Sequence, residues 1–157
     1  MEKNSHDRLV QMVVFEINGK EYGIPVHASK EVIRLTEIVE IPNTPAFIAG
    51  VINLRGNIIC VIDLRKQFRF NARSSDDTRI IIVRIQKMVV GLIVDKVHEV
   101  IKVAKSHIDP VPPILNIQIP NNCLVGIAKV EDRIITLLNL ENILSNEQLK
   151  ELTQKQI

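Results

Sequence analysis

The chain of 157 residues is written twice. GVINLRGNIICVIDL, residues 50–64, aligns without a gap on GIAKVEDRIITLLNL, residues 126–140, at an offset of 76. Upstream, VVFEINGKEYGIPV, residues 13–26, falls on IIVRIQKMVVGLIV, residues 81–94, at an offset of 68. Gly23 meets Gly91, Gly50 meets Gly126, and Glu31-Val32-Ile33 meets Glu99-Val100-Ile101. The second copy therefore carries eight extra residues between its two blocks. A repeat of about 65–75 residues dictates architecture before function. Its filling is telling: 25 Ile and 18 Val stand against four Phe, one Tyr and no Trp. β-Branched side chains are stiff at χ1 and suit a pleated surface, so each copy reads as a small barrel.

Strands are predicted at 13–17 and 21–26, joined at Asn18-Gly19, the strongest short hairpin signal. Residues 28–35 are predicted as a short helix, since Val32 and Leu35 stand three apart. A second hairpin joins 51–54 to 58–64 through Arg55-Gly56-Asn57. A polar segment, 69–78, links the copies. The second copy is predicted as strands at 79–85, 88–94, 97–103, 125–130 and 133–140. Its long loop, 104–123, holds four of the seven prolines. Strands 79–94 are apolar on both faces except at Arg84, which makes them central. Ser145 with Gln148 reads as a capping box opening a helix over 145–157, with Leu149 and Leu152 as its apolar stripe. The barrel subdomains span approximately 10–68 and 79–144, with exchange of strands between them left open.

Several function classes fall away. Twenty basic against 18 acidic residues leave a net charge of only +2, with no electrostatic footprint for nucleic acid. Few aromatics remain to stack on bases. No apolar run reaches the roughly 18 residues of a membrane helix, and the first ten residues do not resemble a signal peptide. There is no HExxH, CxxC, GxGxxG or GxSxG, so neither a metal cage nor a recognisable catalytic motif is expected. His27, His98 and His107 are dispersed, and Asp76-Asp77 sits in a polar linker. Tyr22 is expected in the core. Cys60 and Cys123 lie in apolar strings and read as buried free thiols.

The polar outliers carry the remaining information. Arg55 is either a hairpin-tip arginine in water or one folded back on a carboxylate, with Glu31 the candidate partner. Gly50 and Gly126 recur where a backbone needs positive φ or close packing. Ile114, after Pro112-Pro113, is either core cover or an exposed partner contact.

Three stretches resemble one known family. NTPAFIAGVINLRGNIICVIDLRKQF (43–68) resembles the signature of CheW, the bacterial chemotaxis coupling protein. TRIIIVRIQKMVVGLIVDKVHEVI (78–101) and GIAKVEDRIITLLNLENIL (126–144) are similar to its later blocks. The resemblance covers roughly residues 10–150. It implies an all-β fold with a C-terminal helix and short helical turns: two five-stranded SH3-like barrels on a common core. It implies a non-enzymatic cytoplasmic adaptor between the chemoreceptor tip and the regulatory domain of the histidine kinase CheA. No cofactor, metal, nucleic acid or membrane insertion is expected, and the chain alone is expected to be monomeric.

The resemblance also implies sites. Val26, Ser29, Val32, Ile33, Gly50, Val97 and Val100 line the receptor groove. Ile38, Val39 and Ile41 face the kinase, and Ile114 makes a second, ring-closing kinase contact. Glu31 and Arg55 form a pair coupling the two surfaces. Ser29 stands where the family usually has an apolar residue, Cys60 where it has proline, and Asn139 where it has aspartate. On the residues alone, two other readings stay open. A nucleic-acid-binding double barrel needs a basic stripe with aromatics. A small enzyme needs a polar pocket between the barrels with perturbed titrating groups.

Overall fold

A computed structural model describes residues 8–112 and 123–155. Its strands, in chain order, are β1 (Leu9–Ile17), β2 (Lys20–Pro25), β3 (Ser29–Arg34), β4 (Ile48–Leu54) and β5 (Asn57–Asp63), then β6 (Arg79–Ile85), β7 (Met88–Val94), β8 (Lys96–Ala104), β9 (Ile108–Asp109), β10 (Leu124–Val130) and β11 (Arg133–Leu138). A four-residue helix, α1 (Leu64–Gln67), follows β5, and α2 (Asn146–Lys155) ends the fold.

The strands form two sheets, ordered β8-β1-β2-β11-β10-β9 and β3-β6-β7-β5-β4. The sequence repeat maps one order onto the other, and it maps the registers too. Val13 opposite Val100 corresponds to Ile81 opposite Val32. Thr136 beside Tyr22 corresponds to Cys60 beside Val90. Even the bulges repeat, at Ile48/Gly50 and again at Leu124/Gly126. Only β9 is extra, and the lone Val39–Val51 bridge stands in its place on the other barrel. Each sheet draws on both copies: the hairpin β1–β2 completes the sheet of β8, β10 and β11, while β6–β7 completes that of β3, β4 and β5.

The pleat sorts side chains into three cores. On β1, Met12 and Val14 turn into one barrel with Ala128, Ile135 and Leu137. On β6, the matching Ile80 and Ile82 turn into the other with Ile52, Ile59 and Val61. The alternate residues, Val13, Phe15 and Ile17 with Ile81, Val83 and Ile85, meet between the barrels in the largest cluster. Tyr22 packs there, stacked on Phe15 with ring centroids 6.0 Å apart. Each such side chain contributes about 1.5–3 kcal/mol by leaving water. The architecture is all-β, two SH3-like barrels on a shared core, with α2 packed against that core.

Ser145 opens α2 as a capping box: its Oγ accepts from Gln148 N at 3.1 Å, and Gln148 Oε1 accepts from Ser145 N at 3.0 Å. Leu149 and Leu152 enter the central cluster. The helix predicted over 28–35 is instead a 3-10 turn, Val26–Ala28, followed by β3. The burial of β3 alternates with period two. Adjacent β-branched Val32 and Ile33, with β6 alongside to pair, outweigh the three-residue spacing of Val32 and Leu35. The first part of the predicted long loop forms a 3-10 turn, Lys105–His107, and β9, while residues 113–122, Ile114 among them, lie outside the described residues.

Cys60 and Cys123 are buried free thiols of the central cluster. Burial pushes both up to about 11. Neither is expected to react with iodoacetamide near pH 8 until the chain is unfolded in urea. Stoichiometric labelling of the native protein within minutes would contradict this placement.

Candidate functional site

The two sheets end in β3 and β8, the same segment of the repeat. Each is bulged at the same point. On either side of the bulge, Ser29 and Val32 oppose Val83 and Ile81, while Val97 and Val100 oppose Phe15 and Val13. All four partners belong to the central cluster, so these residues share its face. Val32 and Val100 carry that apolar face into solvent, 41% and 52% exposed. Val26 and Val97 are half-buried against the cluster. Five expected receptor residues, Val26, Ser29, Val32, Val97 and Val100, thus lie on the face that borders the central cluster, the seam between the barrels. Ile33 points the other way and packs against a barrel interior.

Gly50 lies on the opposite edge of its sheet. It is buried, with φ +149°, and an added Cβ would stand 2.3 Å from the carbonyl oxygen of Val39 and 2.8 Å from Ile38 Cγ2. The missing side chain is what lets Val39 exchange two hydrogen bonds with Val51, each 2.9 Å. Gly50 therefore accompanies the residues expected to face the kinase rather than those of the seam. Of these, Val39 and Ile41 are exposed and Ile38 is half-buried under the bridge.

Glu31 and Arg55 are brought together. The bulge turns Glu31 onto the barrel-interior face, and the β4–β5 turn holds Arg55 at φ +51° ahead of Gly56 at φ +89°. Positive φ at both centres is the type I′ hairpin, whose twist matches its strands. Gly56 N donates to Asn53 Oδ1 at 2.8 Å, fixing the turn. Both terminal nitrogens of Arg55 then donate to the Glu31 carboxylate, and this bonding raises the guanidinium pKa. The pair borders a groove of about 640 Å³ lined by Ile41, Val51, Leu54 and Ile58 among others. It therefore joins the seam strand β3 to the strand β4 that holds Val39.

The second barrel repeats the device with a residue that sequence reasoning missed. Arg133 donates to Glu21 at 2.6 Å and to Glu99 at 2.9 Å. Those bonds hold Arg133 charged, and hydrogen bonding from Arg133 holds Glu99 below the usual carboxylate range. Glu99 is the repeat of Glu31, a signal that could have prompted the search. The repeat also pairs Ile58 with Ile134, both on hairpins and both about two-thirds exposed. Among the described residues, no group of His, Cys, Asp and Glu could hold a metal ion, and no helix is long and apolar enough to cross a membrane.

A family model for the CheW-like domain matches residues 11–148. The chain belongs to the CheW-like family. Chemotaxis protein CheW of Helicobacter pylori is 34% identical over 146 residues, covering 92% of this chain and 87% of that protein. Its counterpart in Bacillus subtilis is 36% identical over 139 residues, covering 87% and 88%. Among solved structures, the scaffolding protein TtCheW of Thermoanaerobacter tengcongensis superposes with a TM-score of 0.81 at 42% identity, over 90% of this chain and 96% of that one. CheW-like membership accords with the paired barrels, and none of these matches favours a nucleic-acid-binding or enzymatic reading.

Proposed function

We propose that the chain is a chemotaxis adaptor that couples chemoreceptors to the histidine kinase CheA, in the cytoplasm and without chemistry of its own. The near full-length similarity to chemotaxis CheW proteins carries this reading. The seam supports it, since two edge strands with outward valines suit a helix laid in an apolar groove. The receptor tip lies along Val26, Ser29, Val32, Val97 and Val100, with Ile33 beneath, while Gly50 goes with the β4 edge. The kinase regulatory domain meets the β4 edge at Ile38, Val39 and Ile41, strand edge to strand edge. Micromolar contacts, about −8 kcal/mol each, suit an assembly built from many weak bonds. The isolated chain is a monomer in this reading.

The test is a pull-down with the kinase regulatory domain and a receptor-tip fragment. Retention of both is expected; retention of neither sinks the reading. Glu31 and Arg55 couple the two surfaces. Arg55→Ala is expected to weaken receptor coupling while leaving Tm almost unchanged, because Arg55 is 67% exposed and exposed pairs contribute little to folding. Parallel loss of Tm and binding would reduce the pair to a structural part. Ile114 makes a second kinase contact. Ile114→Arg is expected to keep one-to-one kinase binding and abolish larger complexes in gel filtration; large complexes of unchanged size would remove it from the interface.

A further inference from the structure

The seam is not electrically neutral. Arg34 on β3 stands directly opposite Arg79 on β6, two positions along from Val32 opposite Ile81. The pleat puts both arginines on the seam face. Like charges directly opposite on adjacent strands destabilise a sheet. The Arg79 guanidinium donates to two carbonyl oxygens, of Asp76 at 2.8 Å and Thr78 at 2.9 Å, and neither offsets a charge. Among the described residues no ion pair joins a carboxylate to either arginine. The repeat supplies an internal control: the matching position on the other barrel is Lys102 opposite Gln11, a single cation. The fold could have been built without the Arg–Arg pair, and in its other half it is.

We propose that Arg34 and Arg79 form a carboxylate-binding site that receives an Asp or Glu from the partner helix seated in the seam. The inference rests on the adaptor reading and adds to it. The partner carries an apolar stripe for Val32 and Val100 and acidic residues at the end lying over β3 and β6. The charge imbalance between the barrels thereby sets the direction in which the helix lies. Two guanidiniums at one cross-strand position grip a carboxylate by several charge-assisted bonds, and doing so removes their mutual repulsion.

The experiment measures anisotropy of a labelled receptor-tip fragment against the full chain at about 50 and 300 mM salt, where screening differs strongly. R34Q/R79Q is expected to weaken binding about tenfold at low salt and to flatten the salt dependence, as loss of charge complementarity does. Binding to the kinase regulatory domain stays within about twofold, and R34Q alone keeps or raises Tm, which loss of a structural arginine would not do. Affinity within twofold of the parent with an unchanged salt slope overturns the site while leaving the adaptor reading standing. A parent chain that binds the kinase domain but not the tip overturns the receptor reading itself, and the site with it. Anionic phosphatidylserine vesicles are the competing occupant. Sedimentation of the parent chain with them, lost in R34Q/R79Q, assigns the pair to a lipid surface and overturns the proposal.

Discussion

Arg65→Met is expected to cost about 3–5 kcal/mol of folding free energy, the range for removing one partner from a buried ion pair. Arg65 is 3% exposed, although it lies in a short helix at the end of β5. Its guanidinium holds the equally buried Asp63 through Nε and Nη2, at 2.9 and 3.0 Å. Nη1 reaches Asp95 at 3.2 Å and the carbonyl oxygen of Arg73 at 2.9 Å. Burial opposes the charged form, but the bonds to both carboxylates outweigh it and raise the arginine pKa. Asp95 also accepts from Asn18 N at 2.8 Å, in the hairpin that β1 and β2 lend to the other sheet. Methionine matches the stem and leaves Asp63 buried, with only Arg65 N at 3.1 Å as donor. For a chain of this size the loss lowers Tm by roughly 10 °C or more. Asp63→Asn in the same background should restore part of it, since the stranded charge disappears. An unfolding free energy from urea titration within about 0.5 kcal/mol of the parent would contradict the network's importance.

Gly50→Ala should destabilise the chain by about 2–4 kcal/mol, from backbone strain together with loss of the two Val39–Val51 bonds. The new Cβ meets backbone rather than a movable side-chain tip, so the Val39 segment must lift off β4. Gly126→Ala is the milder companion. There the nearest atom is Ile108 Cγ2 at 2.6 Å, and the Asp109 carbonyl oxygen is 3.2 Å away. Binding should separate the two surfaces. Gly50→Ala is expected to weaken kinase binding at least tenfold at temperatures where the chain stays folded, with the receptor tip much less affected. Equal losses on both partners, or a greater loss on the receptor, would return Gly50 to the seam.

Much of this was legible in the residues because duplication leaves local marks. Glycines and β-branched runs repeat in place, so barrel number and most strands could be read. Glu31 and Arg55 were visible as polar interruptions of apolar strings. The exchange of hairpins was not legible, because pairing β2 with β11 or β5 with β7 is a non-local choice that neither segment records. Strand β3 was misread for a related reason: its partner β6 lies some fifty residues away, and only that pairing exposes its two-residue period. Arg65 carries no mark in the sequence beyond standing directly after the predicted strand 58–64. Its burial depends on Asp95, thirty residues on.

The exchange of hairpins bears on how force passes through the molecule. Two barrels joined only by a tether at 69–78 could swivel, and a push on one would be lost in the joint. Here each barrel owns two strands of the other copy, and the central cluster fills the space between. The β2–β11 and β5–β7 ladders each bind the two copies together within one barrel, so tilting one barrel against the other would mean shearing the central cluster between them. The close-packed shared core therefore opposes a swivel between the barrels. A load applied along the seam is then expected to reach the β4 edge through packed side chains rather than through a hinge.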